Sequence, residues 1–457
     1  MHTKFFTFVS LLLVLLIFSF QAEKSEPVTA KTALQSYLEN GDESFAWEVK
    51  ESFSAEGITA HELLLTSQKW REHTWTHQLT VLVPQEIKYD GSLLFITGGS
   101  VKDGQPNWKN QDEEVLKSFG AVAAQNSALV TIIRQVPNQP LYNNLKEDEL
   151  ISFTLDNFRK DNDYTWPLLF PMTKSAVRAM DAIQEFSNSE LNQEVSRFVI
   201  SGASKRGWTT WLTGASDERV AAIAPMVIDM LNMPVNLDYQ VKVWGDYSVQ
   251  IQDYVELGIP QDVHSENGSE ITQMIDPYSY RDKLTMPKML FIGANDEYWP
   301  IDAVKNYFDD IPGENFIHYV PNAGHDLGDG KQALGALSAF FGTTLRKEKY
   351  PTCEWDISEK NGEITLKVKA TPDPLVDVVL WSADSEDRDF RDEEWVGQSL
   401  GVKNQKNIKA NITYPTSGFK AFYVDLKYTD ANGNVYSQST QSYVADEDEV
   451  FINSTVN

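Results

Sequence analysis

Between residues 92 and 325, short apolar runs ending in small or polar residues alternate with amphipathic stretches. The runs are SLLFITGG (92–99), ALVTIIRQVP (128–137), RFVISGAS (197–204), VAAIAPMVID (220–229), KMLFIGAND (288–296) and ENFIHYVPNAGH (314–325). Helix-like stretches such as QDEEVLKSFGAVAAQN, TKSAVRAMDAIQEFSN and DAVKNYFDDI fall between most of them. Unbroken apolar strands alternating with helices predict a doubly wound α/β fold, a parallel sheet covered on both faces. In such sheets chemistry collects at the carboxyl ends of the strands.

The flanks follow other patterns. From Thr32 to Pro84 a helix-like TALQSYLE precedes ITAHELLLTSQKW and HQLTVLVP, whose alternation predicts antiparallel strands. Residues 231–287 are rich in aromatics and lack strand periodicity, which predicts a helical, cap-like excursion over the strand ends. Beyond it the α/β body is expected to run to residue 346, so that it spans 32–346. EITLKVKATP, DVVLWSA, KNIKANITYP, FKAFYVDLKYTD and VYSQSTQSYVA then predict a β-sandwich over 350–446. DANGN at 430–434 reads as a hairpin turn between two of these strands rather than a calcium loop. At the other end, Lys4, the apolar run Phe5–Phe20 and the polar QAEKSEP read as a secretory signal peptide over residues 1–22. Export to the periplasm or the extracellular space is the expected destination, with a membrane role only through an uncleaved leader.

Composition narrows the chemistry. Cys353 is the single cysteine of the 457 residues, which excludes an internal disulfide and a multi-thiolate metal site. A formal net charge of −27 repels phosphate backbones, so nucleic acid is not an expected partner. Neither a metal nor an organic cofactor is expected.

A serine hydroxyl needs a base to remove its proton, and that base needs a third group to orient it. The α/β-hydrolase arrangement places serine on a sharp strand-to-helix turn, with the acid and then histidine later in the chain. Ser204 follows RFVISGA, Asp296 ends KMLFIGAN and His325 follows NFIHYVPNAG, each at the end of its own predicted strand. The other histidines beyond the leader fit less well: His61, His73 and His77 precede the parallel strands, His264 lies in the excursion and His318 falls inside a strand. Asp229 and Asp302 compete with Asp296, Asp229 more strongly because it also ends a strand. One departure stands out. G-x-S-x-G is satisfied at Gly202, but Arg206 occupies the second glycine position and Gly207 comes one residue late. For the developing oxyanion, the expected donors are the Lys205 N–H and the backbone at Gly99 or Ser100. Arg206, Arg134, Trp208, Tyr298 and Trp299 are expected near the pocket.

With these residues in view, the chain resembles the PhoPQ-activated pathogenicity-related family, which includes secreted proliferation repressors of eukaryotes. The resemblance rests on LLLTSQKWREHTWTHQLTVLVP, LFITGG, WPLLFPMTKSAVRAMD, ISGASKRGWTTWLTGASDERVAAIAPMVIDMLNM, FIGANDEYWPIDA and YVPNAGHDL, and covers residues 32–345. It implies an α/β-hydrolase fold related to prolyl-peptidase-like enzymes, with Arg206-Gly207 as the family's own form of the elbow. The expectation is an exported serine hydrolase acting on an ester or peptide bond, of a small or polymeric substrate. The rival expectation is a secreted signalling or binding protein that uses the same fold as a surface.

Overall fold

The computed structural model describes residues 27–452 apart from 56, 110–112 and 361. The leader read in residues 1–22 lies outside the described residues. In chain order the first strands are β1 (Ala46–Ala55), β2 (Ile58–Trp70), β3 (His73–Pro84) and β4 (Gly91–Ile96). A small pair follows, β5 (Val101–Lys102) with β6 (Gln105–Pro106), and then β7 (Leu129–Ile133) and β8 (Arg197–Ala203). β9 (Val220–Met226), β10 (Lys288–Gly293) and β11 (Asn315–Val320) complete the N-terminal portion. They lie in the order β1-β2-β3-β7-β4-β8-β9-β10-β11. From β7 to β11 neighbours are parallel, whereas β1, β2 and β3 form an antiparallel edge joined to β7.

The unbroken apolar runs work because both faces of the sheet are buried. Side chains alternate across a strand, so Phe198 and Ile200 of β8 enter one core while Val199 enters the other. Helices Leu169–Glu190 and Lys205–Gly214 cover the first face, through residues such as Met180, Ile183 and Trp211. Helices Glu114–Asn126 and Lys331–Arg346 cover the second, with Phe119, Leu337 and Phe341. This is the doubly wound α/β layering that the alternation predicts. The excursion consists of helices Met233–Trp244, Gln252–Val255 and Glu266–Ile275, followed by a tighter turn of helix at Pro277–Lys283.

The C-terminal strands are β12 (Cys353–Lys360), β13 (Glu363–Ala370), β14 (Leu375–Ser385), β15 (Val396–Ser399), β16 (Asn407–Thr413), β17 (Phe419–Thr429), β18 (Val435–Ser439) and β19 (Tyr443–Ala445). They make two antiparallel layers. One is β12-β13-β16; the other, β18-β17-β14-β15, is an extension of the central sheet through antiparallel pairing of β11 with β18. Ile364, Leu366 and Ile412 of the first layer share one core with Val378, Phe422 and Val424 of the second. That core is continuous with the second face of the parallel sheet. Tyr350, just before β12, packs against the parallel-sheet side of it, its ring 5.1 Å from Phe316 and 5.2 Å from Phe340. Asp430 closes the hairpin between β17 and β18, its Oδ1 accepting from the backbone N–H groups of Asn432 and Asn434.

Candidate active site

β8 ends at Ala203 and the next helix begins at Lys205, so Ser204 alone makes the turn. Its backbone takes φ 58° and ψ −125°, a conformation that costs a non-glycine residue about 1–3 kcal/mol and survives only where its surroundings enforce it. Two hydrogen bonds do so: Ser204 N–H donates to Met226 O and Ser204 O accepts from Trp208 N–H, both at 2.9 Å. The turn is also sterically tight. A Cβ on Gly202 would stand 2.8 Å from the Arg206 backbone oxygen, and one on Gly207 would stand 2.7 Å from Met226 O. The helix therefore presses on β9 at Gly207, one residue later than G-x-S-x-G expects.

Arg206 is thereby free to point elsewhere. Its Nε donates to Val136 O at 2.5 Å, and its two terminal nitrogens donate to the two oxygens of Glu147, each at 2.7 Å. The guanidinium lies over Gly98, where a Cβ would come within 2.6 Å of Nη2. Burial alone would raise the Glu147 carboxyl, but the Arg206 hydrogen bonds and charge hold it below its usual value. The expectation that Arg206 and Arg134 belong to the pocket is corrected here, because both are spent on structural partners. Arg134 is buried and donates to Thr80 and Glu113.

Asp296 and His325 sit on two loops that interlock. The loop carrying His325 crosses directly over the end of β10, where a Cβ on Gly293 would stand 2.2 Å from Gly324 O. Asn295 N–H donates to Ala323 O at 2.9 Å, and His325 N–H donates to Glu297 Oε2 at 2.9 Å. This cross-bonding brings His325 Nδ1 to 3.0 Å from Asp296 Oδ2 and 3.1 Å from Oδ1. The Tyr298 ring stacks on the imidazole at a centroid distance of 4.0 Å. His325 Nε2 is buried and has no hydrogen-bond partner. Glu297 thereby holds the backbone of the histidine loop.

A second set of contacts was not anticipated. Asn295 Nδ2 donates to Phe390 O at 2.9 Å and Glu393 O at 2.7 Å. Asn322 exchanges two hydrogen bonds with the Trp395 backbone, at 2.9 and 2.7 Å. The connection between β14 and β15 thus clasps both loops. It also reaches the excursion, where Arg388 meets the Tyr239 hydroxyl at 2.5 Å and Arg391 lies 4.2 Å from the centre of the Trp244 ring. Only the adjacency of the two asparagines to Asp296 and His325 could have pointed to this.

Ser204 and His325 line the same cavity. Of the residues expected near the pocket, Trp208, Tyr298 and Trp299 are in its wall. Much of the remainder comes from the excursion, including Met233, Leu237, Val263 and Ile271. Asp148, Lys205 and Tyr254 supply polar lining; Asp148 was not anticipated. Lys205 Nζ is 2.6 Å from Asp148 Oδ2, and the Tyr254 hydroxyl donates to Asp148 Oδ1 at 3.0 Å. Gly99 and Ser100 lie beyond β4 and off the cavity wall, with Gly99 O accepting from Gln139 and Ser100 Oγ from Asn107.

The competing residues are engaged elsewhere. Asp229 is buried beside Tyr307, whose hydroxyl donates to it at 2.6 Å; burial pushes its carboxyl up to about 7. Asp302 takes Tyr239, Lys305 and Arg388. His318 bonds the backbone of Ser437, and His77 that of Arg134. Among the described residues no cluster of His, Cys, Asp and Glu is arranged to hold a metal ion.

Comparison with known proteins agrees with the resemblance read from the motifs. Autocrine proliferation repressor protein A of Dictyostelium discoideum is 28% identical over 475 residues, covering 96% of this chain and 93% of the relative. Among solved structures, acetyl xylan esterase 1 from Thermoanaerobacterium sp. is similar with a TM-score of 0.49 at 17% identity, covering 70% of this chain and 94% of the esterase. Pyrococcus horikoshii acylaminoacyl peptidase gives a TM-score of 0.40 at 12% identity, covering 66% of this chain and 50% of the peptidase. With both TM-scores below 0.5, neither likeness bears on the chemistry. The sequence model of the PhoPQ-activated pathogenicity-related protein family matches residues 34–391, and the chain belongs to that family.

Proposed function

We propose that this protein is a serine hydrolase that transfers an acyl group from an ester or amide to water through Ser204, His325 and Asp296. The observation that carries the reading is the strained turn at Ser204, opening on the same cavity as a histidine whose other ring nitrogen is held by a buried carboxylate. In this reading Asp296 fixes the tautomer with the proton on Nδ1, leaving the unpartnered Nε2 to take the Ser204 proton. The same nitrogen returns that proton to the leaving group, and water then repeats the sequence on the acyl-enzyme. Lys205 N–H, at the first turn of its helix, has no intrahelical acceptor and stands next to the nucleophile. It would stabilise the oxyanion, whereas Gly99 and Ser100 lie off the cavity wall.

Assayed on a 4-nitrophenyl ester, Ser204→Ala is expected to lose at least about 10³-fold in kcat/KM with unchanged circular dichroism. Full activity in that variant would overturn the proposal. We also propose export, from the leader pattern at residues 1–22. The similarity to a proliferation repressor supports a second reading, signalling on this scaffold, and the same variant separates the two. Signalling without catalysis would survive Ser204→Ala.

A further inference from the structure

We infer that the cavity beside Ser204 binds a neutral, apolar acyl group larger than acetyl. This deepens the hydrolase reading and rests on it. The walls supplied by the excursion are Met233, Leu237, Ile251, Ile259, Val263 and Ile271. Facing them are Trp208, Tyr298 and Trp299 from the parallel-sheet region. The charged side chains in the lining are already matched: Lys205 is paired with Asp148, whose other oxygen accepts from Tyr254. An ammonium or carboxylate carried by the acyl group would lose its water in this cavity and meet only ion pairs already formed. A methylene chain has no charge to desolvate and would bury its surface against these apolar side chains.

The acyl side of the substrate, rather than the alcohol, belongs in this space for a chemical reason. When the ester bond breaks, the alcohol leaves with the proton delivered by His325, and water enters in its place. The acyl group stays in the site from the attack by Ser204 Oγ until water cleaves it from that oxygen, so the apolar wall suits the part that stays. The opening must serve the parts that exchange.

The test uses the purified protein, active sites counted by fluorophosphonate labelling, and 4-nitrophenyl esters from acetate to octanoate. The expected kcat/KM rises by up to about fourfold per added methylene until the cavity is full. The suberate monoester, equal in carbon number to octanoate but ending in a carboxylate, should fall at least about tenfold below octanoate. Val263→Trp, which fills the space, should lower the octanoate-to-acetate ratio by at least about tenfold. A flat or falling series on enzyme that labels at Ser204 would overturn the acyl assignment and leave the hydrolase reading standing. A rise only when the alcohol of an acetate ester is lengthened would also overturn it. Absence of labelling would instead remove the hydrolase reading itself.

Discussion

Ser204 on one side, and Asp296 with His325 on the other, are held in place by different kinds of structure. Ser204 is set by elements adjacent to it in sequence: its own strand, its own helix and the neighbouring β9, with glycine at Gly202 and Gly207 where contact is closest. Asp296 and His325 lie on loops that bond to each other and to the segment around Phe390 and Trp395, which comes from the C-terminal strands. Ser204 is held by the parallel sheet, whereas His325 and Asp296 depend on the extension as well. A C-terminal β unit that looks like an appendage in the sequence is therefore part of the frame of the site.

The comparison is broken most severely by ending the chain after Arg346. That would strip β18 from β11 and expose the core face shared by Phe316 and Tyr350. The expected outcome is insoluble or unfolded protein, judged by soluble yield and circular dichroism. A soluble, fully active truncation would show the extension to be dispensable.

Asn295→Ala and Asn322→Ala sharpen it. Each leaves partly buried backbone groups without partners, at a cost of up to about 1–3 kcal/mol. Because the loops they hold carry Asp296 and His325, kcat should fall about 10- to 100-fold with KM little changed under the proposed mechanism. Thermal melts would show the stability loss, and steady-state kinetics the split. Equal losses in kcat from surface asparagines elsewhere would contradict a positioning role.

The matching change on the Ser204 side is Arg206→Ala. It should cost about 1–2 kcal/mol, discounted because Glu147 is partly exposed, with kcat lowered less than tenfold since the backbone still fixes Ser204. The Glu147 carboxyl is held below its usual value, so the pair's contribution is fully present above the ordinary glutamate pKa. It is lost as pH falls through the lowered folded value. Acid denaturation of Arg206→Ala should accordingly show a flatter limb in that range.

Asp229→Asn is expected to have the smallest effect on activity, within about twofold, because its carboxylate bonds Tyr307 and not His325. Its effect belongs to stability. Burial raises the Asp229 carboxyl to about 7, so the folded state binds that proton more tightly than the unfolded chain does. Stability is fully present below the ordinary aspartate pKa and falls as pH rises toward 7. The variant should remove this slope, raising the melting temperature at pH 8 relative to wild type and changing it little at pH 4. A collapse of kcat in Asp229→Asn, with Asp296→Asn unaffected, would transfer the orienting role to Asp229.

The parallel strands, the chain order of Ser204, Asp296 and His325, and the helical nature of the excursion were legible in the sequence, because each is written in local periodicity or at a strand end. What bonds across long separations was not. The pairing of Ile317 with Ser439 leaves no mark in either segment, so the continuity of the central sheet into the C-terminal strands could not be read. Arg206 was read as pocket lining because nothing local says that its partner is Glu147, 59 positions earlier. Asp148 belongs to an acidic run at a helix start, where charge ordinarily serves the helix dipole. Its pairing with Lys205 becomes visible only in three dimensions.

The most direct test of the central claim is labelling of the purified protein by a fluorophosphonate, with Ser204→Ala as control and the labelled peptide sequenced. The account predicts one label per chain, on Ser204, absent in the variant and slowed in Asn322→Ala. Folded wild-type protein that takes no label from pH 6 to 9, or takes it on another serine, would contradict it.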